Sequence, residues 1–289
     1  MVRQEYKRLL NSKQTVIILI LILVSVISFY MSFSEKQMFV EMLQNDFSED
    51  LNRDSLITLV NDYHGITFLF NFWFNSDFSQ LTTMILFVWA GVFLAPNIFM
   101  QKEQGFGNLI VVRTSYREYI RYNLCAQTLY IFTIISVVTI LELIIALIWG
   151  GGNIEYAYIG EYKLGIVEIA LVVLLQIIVF TIYTSLINGI ASMCGIFIKN
   201  QYVLQAIPLI VFVVLPMLLA STLGNIFEWF ARIIVYFLVN NVSFLISNVF
   251  QSNFNIVEVI WNVLPMLTYA VVLFVLNRIN ISVNERNYV

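Results

Sequence analysis

Long apolar runs separated by short polar segments dominate the chain. A helix needs about 20 apolar residues to cross a hydrocarbon core of about 30 Å. The pattern predicts an all-α membrane protein with six transmembrane helices, over 15–33, 79–99, 123–149, 166–198, 203–220 and 257–276. We expect the first run to be a retained helix rather than a signal peptide, because the small residues of a cleavage site do not follow it.

The stretch 221–256, between the last two predicted helices, has two interpretations. It is apolar enough for a seventh span, but Glu228 and Arg232 interrupt it. A seventh span would also move Arg278 and Arg286 to the outer side of the membrane. We therefore favour short helices that enter the outer leaflet without crossing it.

The composition excludes an ordinary soluble protein. Hydrophobic residues make up 60% of the sequence and charged residues 11%, with a mean hydropathy of +0.85. Soluble domains average about 25% charged residues. Much of the apolar surface must therefore face lipid or other membrane helices.

The basic residues predict the orientation of the spans. With the N-terminus inside, most of the 15 lysines and arginines fall on inner segments, and only Lys36, Arg53, Lys163 and Arg232 fall outside. Such a Lys/Arg bias marks cytoplasmic segments. We expect a multi-pass protein of the plasma membrane with both termini cytoplasmic. The high Ile, Asn and Phe content, with few alanines, favours an AT-rich genome and a Gram-positive bacterium.

Few residues offer catalytic or metal-binding chemistry. His64 is the single histidine, and Cys125 and Cys194 stand in apolar runs without a metal-ligand spacing. The phosphate-binding sequence G-x-x-x-x-G-K-[ST] is absent from the sequence. We expect no catalytic residue, no metal ion, no bound cofactor and no nucleic-acid partner, so the chain is not predicted to be an enzyme.

The N-terminal segment 1–14 predicts an amphipathic helix. Val2, Tyr6, Leu9 and Leu10 share one face at helical spacing, with basic residues on another. Such a helix lies in the membrane interface near anionic lipid headgroups.

The segment 34–78 is predicted to form an acidic extracellular loop. It ends in a cluster of aromatic residues: Phe68, Phe70, Phe72, Trp73 and Phe74. Aromatic residues of this kind favour the membrane–water boundary. We expect the cluster to lie against the outer membrane surface, either as an anchor or as a contact for an exported molecule.

The inner segment 101–122 is the most informative part of the sequence. Gly105 and Gly107 give backbone freedom, and Ser115 with Glu118 forms a capping box that starts a new helix. The result is a helix–turn–helix elbow from which Phe106 and Tyr116 are expected to project into a partner. The residues alone leave two interpretations open, a docking surface and a structural connector.

The elbow and the order of the spans together resemble ABC-2 type transporter permeases. The resembling motif is K-E-x-G-x-x-N-L…R-T-S-Y-R-E, in which Glu103 and Gly105 match the family's acid and glycine. Ser115 and Arg117 fall in the family's second short helix. A proline often precedes that serine-containing turn, whereas Arg113 and Thr114 stand there in this chain.

The resemblance implies an export function. In that family the elbow carries a coupling helix that docks on a separate ATPase, and the residues expected to contribute here are Glu103, Gly105, Phe106, Gly107, Arg113, Ser115, Tyr116 and Arg117. It further implies two ATPase copies that hold the ATP and Mg²⁺, a second permease copy as a homodimer, and membrane lipids as surroundings.

The cargo is expected to be hydrophobic or amphipathic, because the spans lack a polar stripe suited to a sugar or an ion. Among ABC-2 permeases, the chain looks most like those that export amphipathic peptides such as phenol-soluble modulins. A multidrug or lantibiotic efflux permease is the alternative, and a membrane sensor or scaffold is the alternative of another class.

Four residues within the spans are candidates for a gate or a substrate path. Glu142 and Glu168 are expected in the outer leaflet, where they either are satisfied interfacial carboxylates or attract a cationic substrate. Pro208 and Pro216 are candidate kink positions, because proline removes a helical hydrogen bond.

Overall fold

A computed structural model describes most of the chain. The described residues are 2–10, 13–44, 57, 60–61, 64–74, 77–103, 115–151, 155–159, 162–195, 197–198, 200–222, 233–238, 241–250 and 256–285. Within them, six helices are long and apolar enough to cross a membrane, which makes the chain a multi-pass membrane protein. We number these spans 1 to 6: Ile17–Leu43, Asp77–Gln101, Tyr116–Gly150, Ile166–Cys194, Gln201–Thr222 and Ile256–Asn284.

The secondary structure is mainly α-helical. The α-helices are Val2–Leu10, Ile17–Gln44, Gly65–Phe74, Asp77–Trp89, Pro96–Glu103, Tyr116–Gly150, Ile166–Cys194, Gln201–Leu209, Leu215–Thr222, Asn241–Phe250 and Ile256–Glu285. Ala90–Leu94 and Ile210–Val214 are π-helical, and Lys13–Val16 and Val235–Phe237 are 3₁₀ turns.

The predicted number of spans is confirmed, but several helices extend beyond or end before the predicted boundaries: span 3 begins at Tyr116 rather than at 123, and span 6 continues to Asn284 rather than ending at 276. The helix of span 1 continues through Glu35, Lys36 and Glu41 to Gln44, where the sequence predicted a loop. These charged residues occur among Met, Phe and Val side chains, so the helix extends beyond the apolar run. The helix of span 4 ends at Cys194 rather than at Ile198.

The all-α fold class is confirmed, and one short β-hairpin between spans 3 and 4, which the sequence did not predict, is added to it. Strands β1 (Tyr156–Ile159) and β2 (Tyr162–Gly165) pair antiparallel, with Ala157 opposite Leu164. Tyrosine and isoleucine favour strands, and a short polar connection suits a hairpin. The side chains of Ala157 and Leu164 in this hairpin are fully buried.

The aromatic cluster is buried within the fold, whereas the sequence predicted exposed side chains that lie against the outer membrane surface. It forms the aromatic helix, Gly65–Phe74, in which eight of ten residues are buried. This helix packs against span 3, span 1 and β1. Its start fits closely against span 3, because a Cβ on Gly150 would lie 2.2 Å from the Cα of Gly65. Small residues permit such an approach between membrane helices.

The N-terminal amphipathic helix is confirmed as Val2–Leu10. Leu9 is buried, and Tyr6 shares a 2.8 Å hydrogen bond with the hydroxyl of Thr133 in span 3. Arg3 and Lys7 are exposed on the other face. The apolar face therefore contacts the helix bundle.

The described residues between spans 5 and 6 contain short helices and no seventh span. Asn241–Phe250 has ten residues, about half the length needed to cross a hydrocarbon core. Val242, Leu245 and Ile246 are buried on it, and it contacts spans 4 and 6. This part of 221–256 is a short helix, and its entry into the outer leaflet stays a prediction.

Candidate functional site

The elbow is described on both of its flanks, Gln101–Glu103 and Ser115 onward. Ser115 is the N-cap of span 3, and its Oγ accepts the backbone N–H of Glu118 at 3.3 Å, so the serine bond of the predicted capping box is confirmed. Glu103 and Arg117 are exposed. Gly105, Phe106, Gly107 and Arg113 lie outside the described residues.

Tyr116 does not project toward a partner in the described chain, which corrects the prediction. Its side chain is 6% exposed, and its hydroxyl donates to Asn280 Oδ1 of span 6 at 2.8 Å. Asn280 also accepts from Asn284 at 2.6 Å and lies within 3.1 Å of the sulfur of Met193 in span 4. The first turn of span 3 packs against spans 4 and 6, so the side chain of Tyr116 faces inward.

A chain of hydrogen bonds connects the two flanks of the elbow; we call it the polar clamp. The hydroxyl of Tyr119, just after the elbow, donates to Gln101 Oε1 at 2.8 Å. Gln101 Nε2 donates to Glu5 of the N-terminal helix at 2.9 Å. Arg8 pairs with Glu5 and donates to Asn97 Oδ1 of span 2 at 2.7 Å. The polar clamp therefore ties spans 2 and 3 to the N-terminal helix.

These contacts define one end of the bundle, which we call the basic end. It consists of the N-terminal helix, the start of span 3 and the C-terminal end of span 6. The β-hairpin and the start of the aromatic helix lie at the opposite end, where the ring of His64 packs edge-on against Tyr156.

Glu142 is completely enclosed within the bundle. Its two carboxylate oxygens accept from Ser25 Oγ of span 1 at 2.6 Å and from Trp73 Nε1 of the aromatic helix at 3.0 Å. A cavity of about 30 Å³ adjoins it, which is room for about two water molecules. Gln176 of span 4 lines the same cavity, and its buried Oε1 accepts no hydrogen bond within the described chain.

Glu168 has a structural position at the start of span 4. Its carboxylate accepts the backbone N–H of Gly165 at 2.8 Å, which caps the helix. It stands at the end of β2 and is not among the residues that line the Glu142 cavity. The structure does not bring the two candidate carboxylates together.

Pro208 lies where spans 2 and 5 touch. It is buried, and a Cβ on Gly91 of span 2 would lie only 2.4 Å from its Cγ. Gly91 belongs to the π-helical segment Ala90–Leu94, and a second π-helical segment, Ile210–Val214, follows Pro208. Pro216 follows that second segment and is buried. Both candidate prolines therefore border an irregular helical segment.

Side chains of neighbouring spans satisfy the backbone near the first π-helical segment. Proline lacks an N–H, so Pro96 leaves the carbonyl of Val92 without its usual donor. Gln205 Nε2 of span 5 donates to this carbonyl at 3.0 Å. Gln127 of span 3 donates to the carbonyl of Leu94 at 3.3 Å.

A groove between spans 3 and 6 opens at the basic end. Arg117, Arg121 and Glu118 line it on span 3, and Asn277 and Ile281 line it on span 6, around about 820 Å³. A smaller adjoining hollow shares Arg117 and adds Arg278. We call both together the arginine groove.

Several polar residues of these sites were missed from the sequence: Asn97, Gln127, Asn188 and Asn280. All four are buried, and Asn188 donates to Gln127 at 2.8 Å. An amide in an apolar helix is costly without a partner, so its presence was a usable signal for contact between spans. The sequence could not indicate which span supplies each partner.

Comparison with known proteins adds no assignment. The chain matches no family model, no curated protein and no solved structure.

Proposed function

We propose that the chain is the permease subunit of an ATP-driven exporter, whose separate ATPase docks on the elbow, 101–122. The main support is the way in which the elbow is anchored. The polar clamp joins its flanks to the N-terminal helix, and Tyr116 joins it to Asn280 of span 6. A displacement of the elbow would therefore act on spans 2, 3 and 6 together. The resemblance of the elbow sequence to ABC-2 permeases supports the same function.

In the proposed cycle, two copies of the chain pair, and each binds one ATPase. ATP binding draws the ATPases together and moves the elbows, and ATP hydrolysis resets them. Such a cycle requires two arrangements of the spans whose relative population the nucleotide changes. The π-helical segments of spans 2 and 5 are suited to such a rearrangement, since irregular helical turns are frequent at functional hinges.

The proposed cargo is an amphipathic or hydrophobic molecule, with peptides as the first choice. An apolar groove of about 370 Å³ lies between spans 1 and 2. Ile20, Trp89 and Phe93 are among the side chains that line it. A groove of this kind accepts an apolar segment and offers little to a sugar or an inorganic ion.

Co-purification tests the docking. The tagged chain, extracted from its own host in mild detergent, should bring down an ATPase whose hydrolysis vanadate inhibits. We expect Phe106→Ala to lower the recovered ATPase at least tenfold at equal amounts of permease. Phe197→Ala is the matched control. Phe197 is an exposed phenylalanine in the connection between spans 4 and 5, near the basic end. It should leave recovery unchanged.

The same preparation tests transmission and cargo. Tyr119→Phe removes one hydrogen bond of the polar clamp, so it should retain the ATPase while reducing peptide-stimulated hydrolysis.

Amphipathic helical peptides should stimulate hydrolysis more than drugs or lantibiotics do. If drugs or lantibiotics stimulate hydrolysis more strongly than the peptides, the efflux alternative is favoured. Recovery of no ATPase with the wild-type chain would contradict the proposal and favour a sensor or scaffold.

A further inference from the structure

The arginine groove contains positive charge that the described chain does not neutralise. Arg117, Arg121 and Arg278 are all exposed. Glu118 is the acid that lines the groove with them. None of these three arginines takes part in the ion pair between Arg8 and Glu5. Like charges in one groove repel each other, so an anion that binds there is favoured.

The groove continues into apolar surface along both helices. On span 3, Leu129 and Phe132 are exposed one and two turns beyond Cys125, which lines the groove. On span 6, Val271 and Leu267 are exposed one and two turns before Phe274, which lines the adjoining hollow. Residues three or four apart share a helix face, so these apolar stripes extend from the groove itself.

The positions of the arginines match the expected depth of a lipid headgroup. Arg278 ends the apolar part of span 6, and its guanidinium lies 5.3 Å from the ring centre of Phe274. Arginines at the end of a span extend toward the interface while their aliphatic parts remain on apolar surface. The groove therefore offers cationic groups at one end and acyl-chain contacts at the other.

We propose that the arginine groove is a binding site for an anionic phospholipid of the leaflet at the basic end. Arg117, Arg121 and Arg278 bind the phosphate of the headgroup, since one guanidinium can donate two parallel hydrogen bonds to phosphate oxygens. The acyl chains lie along the stripes of spans 3 and 6. Asn277 Oδ1, a buried acceptor without a hydrogen bond in the described chain, accepts a headgroup hydroxyl. The volume of about 820 Å³ is in the usual range of small-molecule sites.

This site adjoins the proposed ATPase contact, because Arg117 and Arg121 belong both to the elbow, 101–122, and to the groove. The lipid is tested on the purified chain without its ATPase, so the outcome does not depend on docking. The lipid fixes the distance between spans 3 and 6, which Tyr116 and Asn280 join next to the groove. Occupancy therefore stabilises the anchored arrangement of the elbow.

Native mass spectrometry of the detergent-purified chain tests the proposal. Phosphatidylglycerol and phosphatidylcholine with identical acyl chains are titrated separately. We expect wild-type protein to retain phosphatidylglycerol at least tenfold more tightly. The triple variant Arg117→Gln, Arg121→Gln, Arg278→Gln should lose this preference. A contribution of about 1 kcal/mol per arginine corresponds to about fivefold each and about a hundredfold together.

The matched control is Lys163→Gln, which is compared with the single variant Arg278→Gln. It removes one charge from an exposed position outside the groove and should keep the preference, whereas Arg278→Gln should weaken it about fivefold. Equal retention of the two lipids by wild type, or equal losses in Lys163→Gln and Arg278→Gln, would overturn the proposal. Loss of the preference in millimolar inorganic phosphate would also overturn it, because the site would then be one for free anions.

A measurement on the wild-type chain covers the case in which the arginine variant does not fold. Cys125 is exposed and lines the groove. The alkylation of Cys125 by maleimide is followed over time by peptide mapping. Phosphatidylglycerol should slow it at least threefold relative to phosphatidylcholine. Unchanged alkylation would count against the lipid. Protection by the bound ATPase alone would assign the groove to protein docking instead.

Discussion

Glu142 shows how one carboxylate is accommodated inside an apolar bundle. Ser25 Oγ lies within hydrogen-bonding distance of two acceptors, Glu142 at 2.6 Å and the carbonyl of Leu21 at 2.9 Å. One hydroxyl proton can serve only one of these acceptors at a time. Trp73 supplies a second donor to the carboxylate, at 3.0 Å. The side chain thus joins spans 1 and 3 to the aromatic helix.

Substitution of Glu142 separates this joining role from the role of its charge. We expect Glu142→Gln to retain stability, because the amide keeps an acceptor for Trp73 and adds a donor for Ser25. Glu142→Ala should destabilise the protein by about 1–3 kcal/mol, since Trp73 Nε1 loses its acceptor and remains buried. Thermal unfolding in detergent measures both changes.

Glu168→Gln is a useful companion variant. Its cap bond to Gly165 is near the surface, so the effect on unfolding should be smaller than that of Glu142→Ala. If Glu142→Ala unfolds at the wild-type temperature, the carboxylate does not hold these helices together. Export that fails in Glu142→Gln while stability persists would support a role for its charge in the substrate path.

Spans 2 and 5 meet through their irregular segments. The π-helical turns at Ala90–Leu94 and Ile210–Val214 flank the contact between Gly91 and Pro208. Pro96 leaves the backbone carbonyl of Val92 without its usual donor, and Gln205 of span 5 donates to this carbonyl across the interface. A side chain on residue 91 would therefore separate two helices that also share a hydrogen bond.

Gly91→Ala is expected to destabilise the protein by about 1–3 kcal/mol, as for overfilled cores. Its new Cβ would lie 2.4 Å from the Cγ of Pro208. The double variant Gly91→Ala, Pro208→Ala should recover part of the loss, because the smaller side chain makes room. Thermal unfolding of Gly91→Ala, Pro208→Ala and the double variant measures the interaction between the two positions.

Gly165→Ala is the matched glycine control. A Cβ there would have its nearest neighbour at 3.9 Å, so stability should change little. A loss in Gly165→Ala as large as in Gly91→Ala would mean that the close contact with Pro208 is not what causes the effect.

The first described helix, Val2–Leu10, and the C-terminal part of span 6 lie on the same side of the bundle. Tyr116 at the start of span 3 contacts Asn280 near the end of span 6, and the N-terminal helix contacts Gln101 at the end of span 2. With six spans this end contains most of the lysines and arginines, which favours a cytoplasmic location.

Epitope accessibility tests this orientation. A tag at the N-terminus should be labelled by antibody only after the cells are permeabilised. A tag between Gly160 and Glu161, in the connection of the β-hairpin, should be labelled in intact cells. Labelling of the N-terminal tag in intact cells would reverse the orientation and remove the elbow from any cytoplasmic ATPase.

Much of the fold was predictable because it depends on local sequence. Six apolar runs gave six spans, and the cap at Ser115 and the face of the N-terminal helix followed from the spacing of a few neighbours. The hairpin Tyr156–Gly165 and the helix beyond Phe33 were missed. The first is too short for a strong pattern, and the second contains charges that an extended helix tolerates.

The candidate sites were less predictable because their contacts join distant residues. Amphipathicity, span length and the Lys/Arg bias are properties of neighbouring residues, so the amino-acid order alone specified the spans and their expected orientation. Which side chains meet depends on how the helices pack. The partner of Tyr116 is 164 residues away and that of Glu142 in span 1 is 117 residues away. Only the folded bundle turned Tyr116 inward, buried the aromatic helix and assembled the arginine groove.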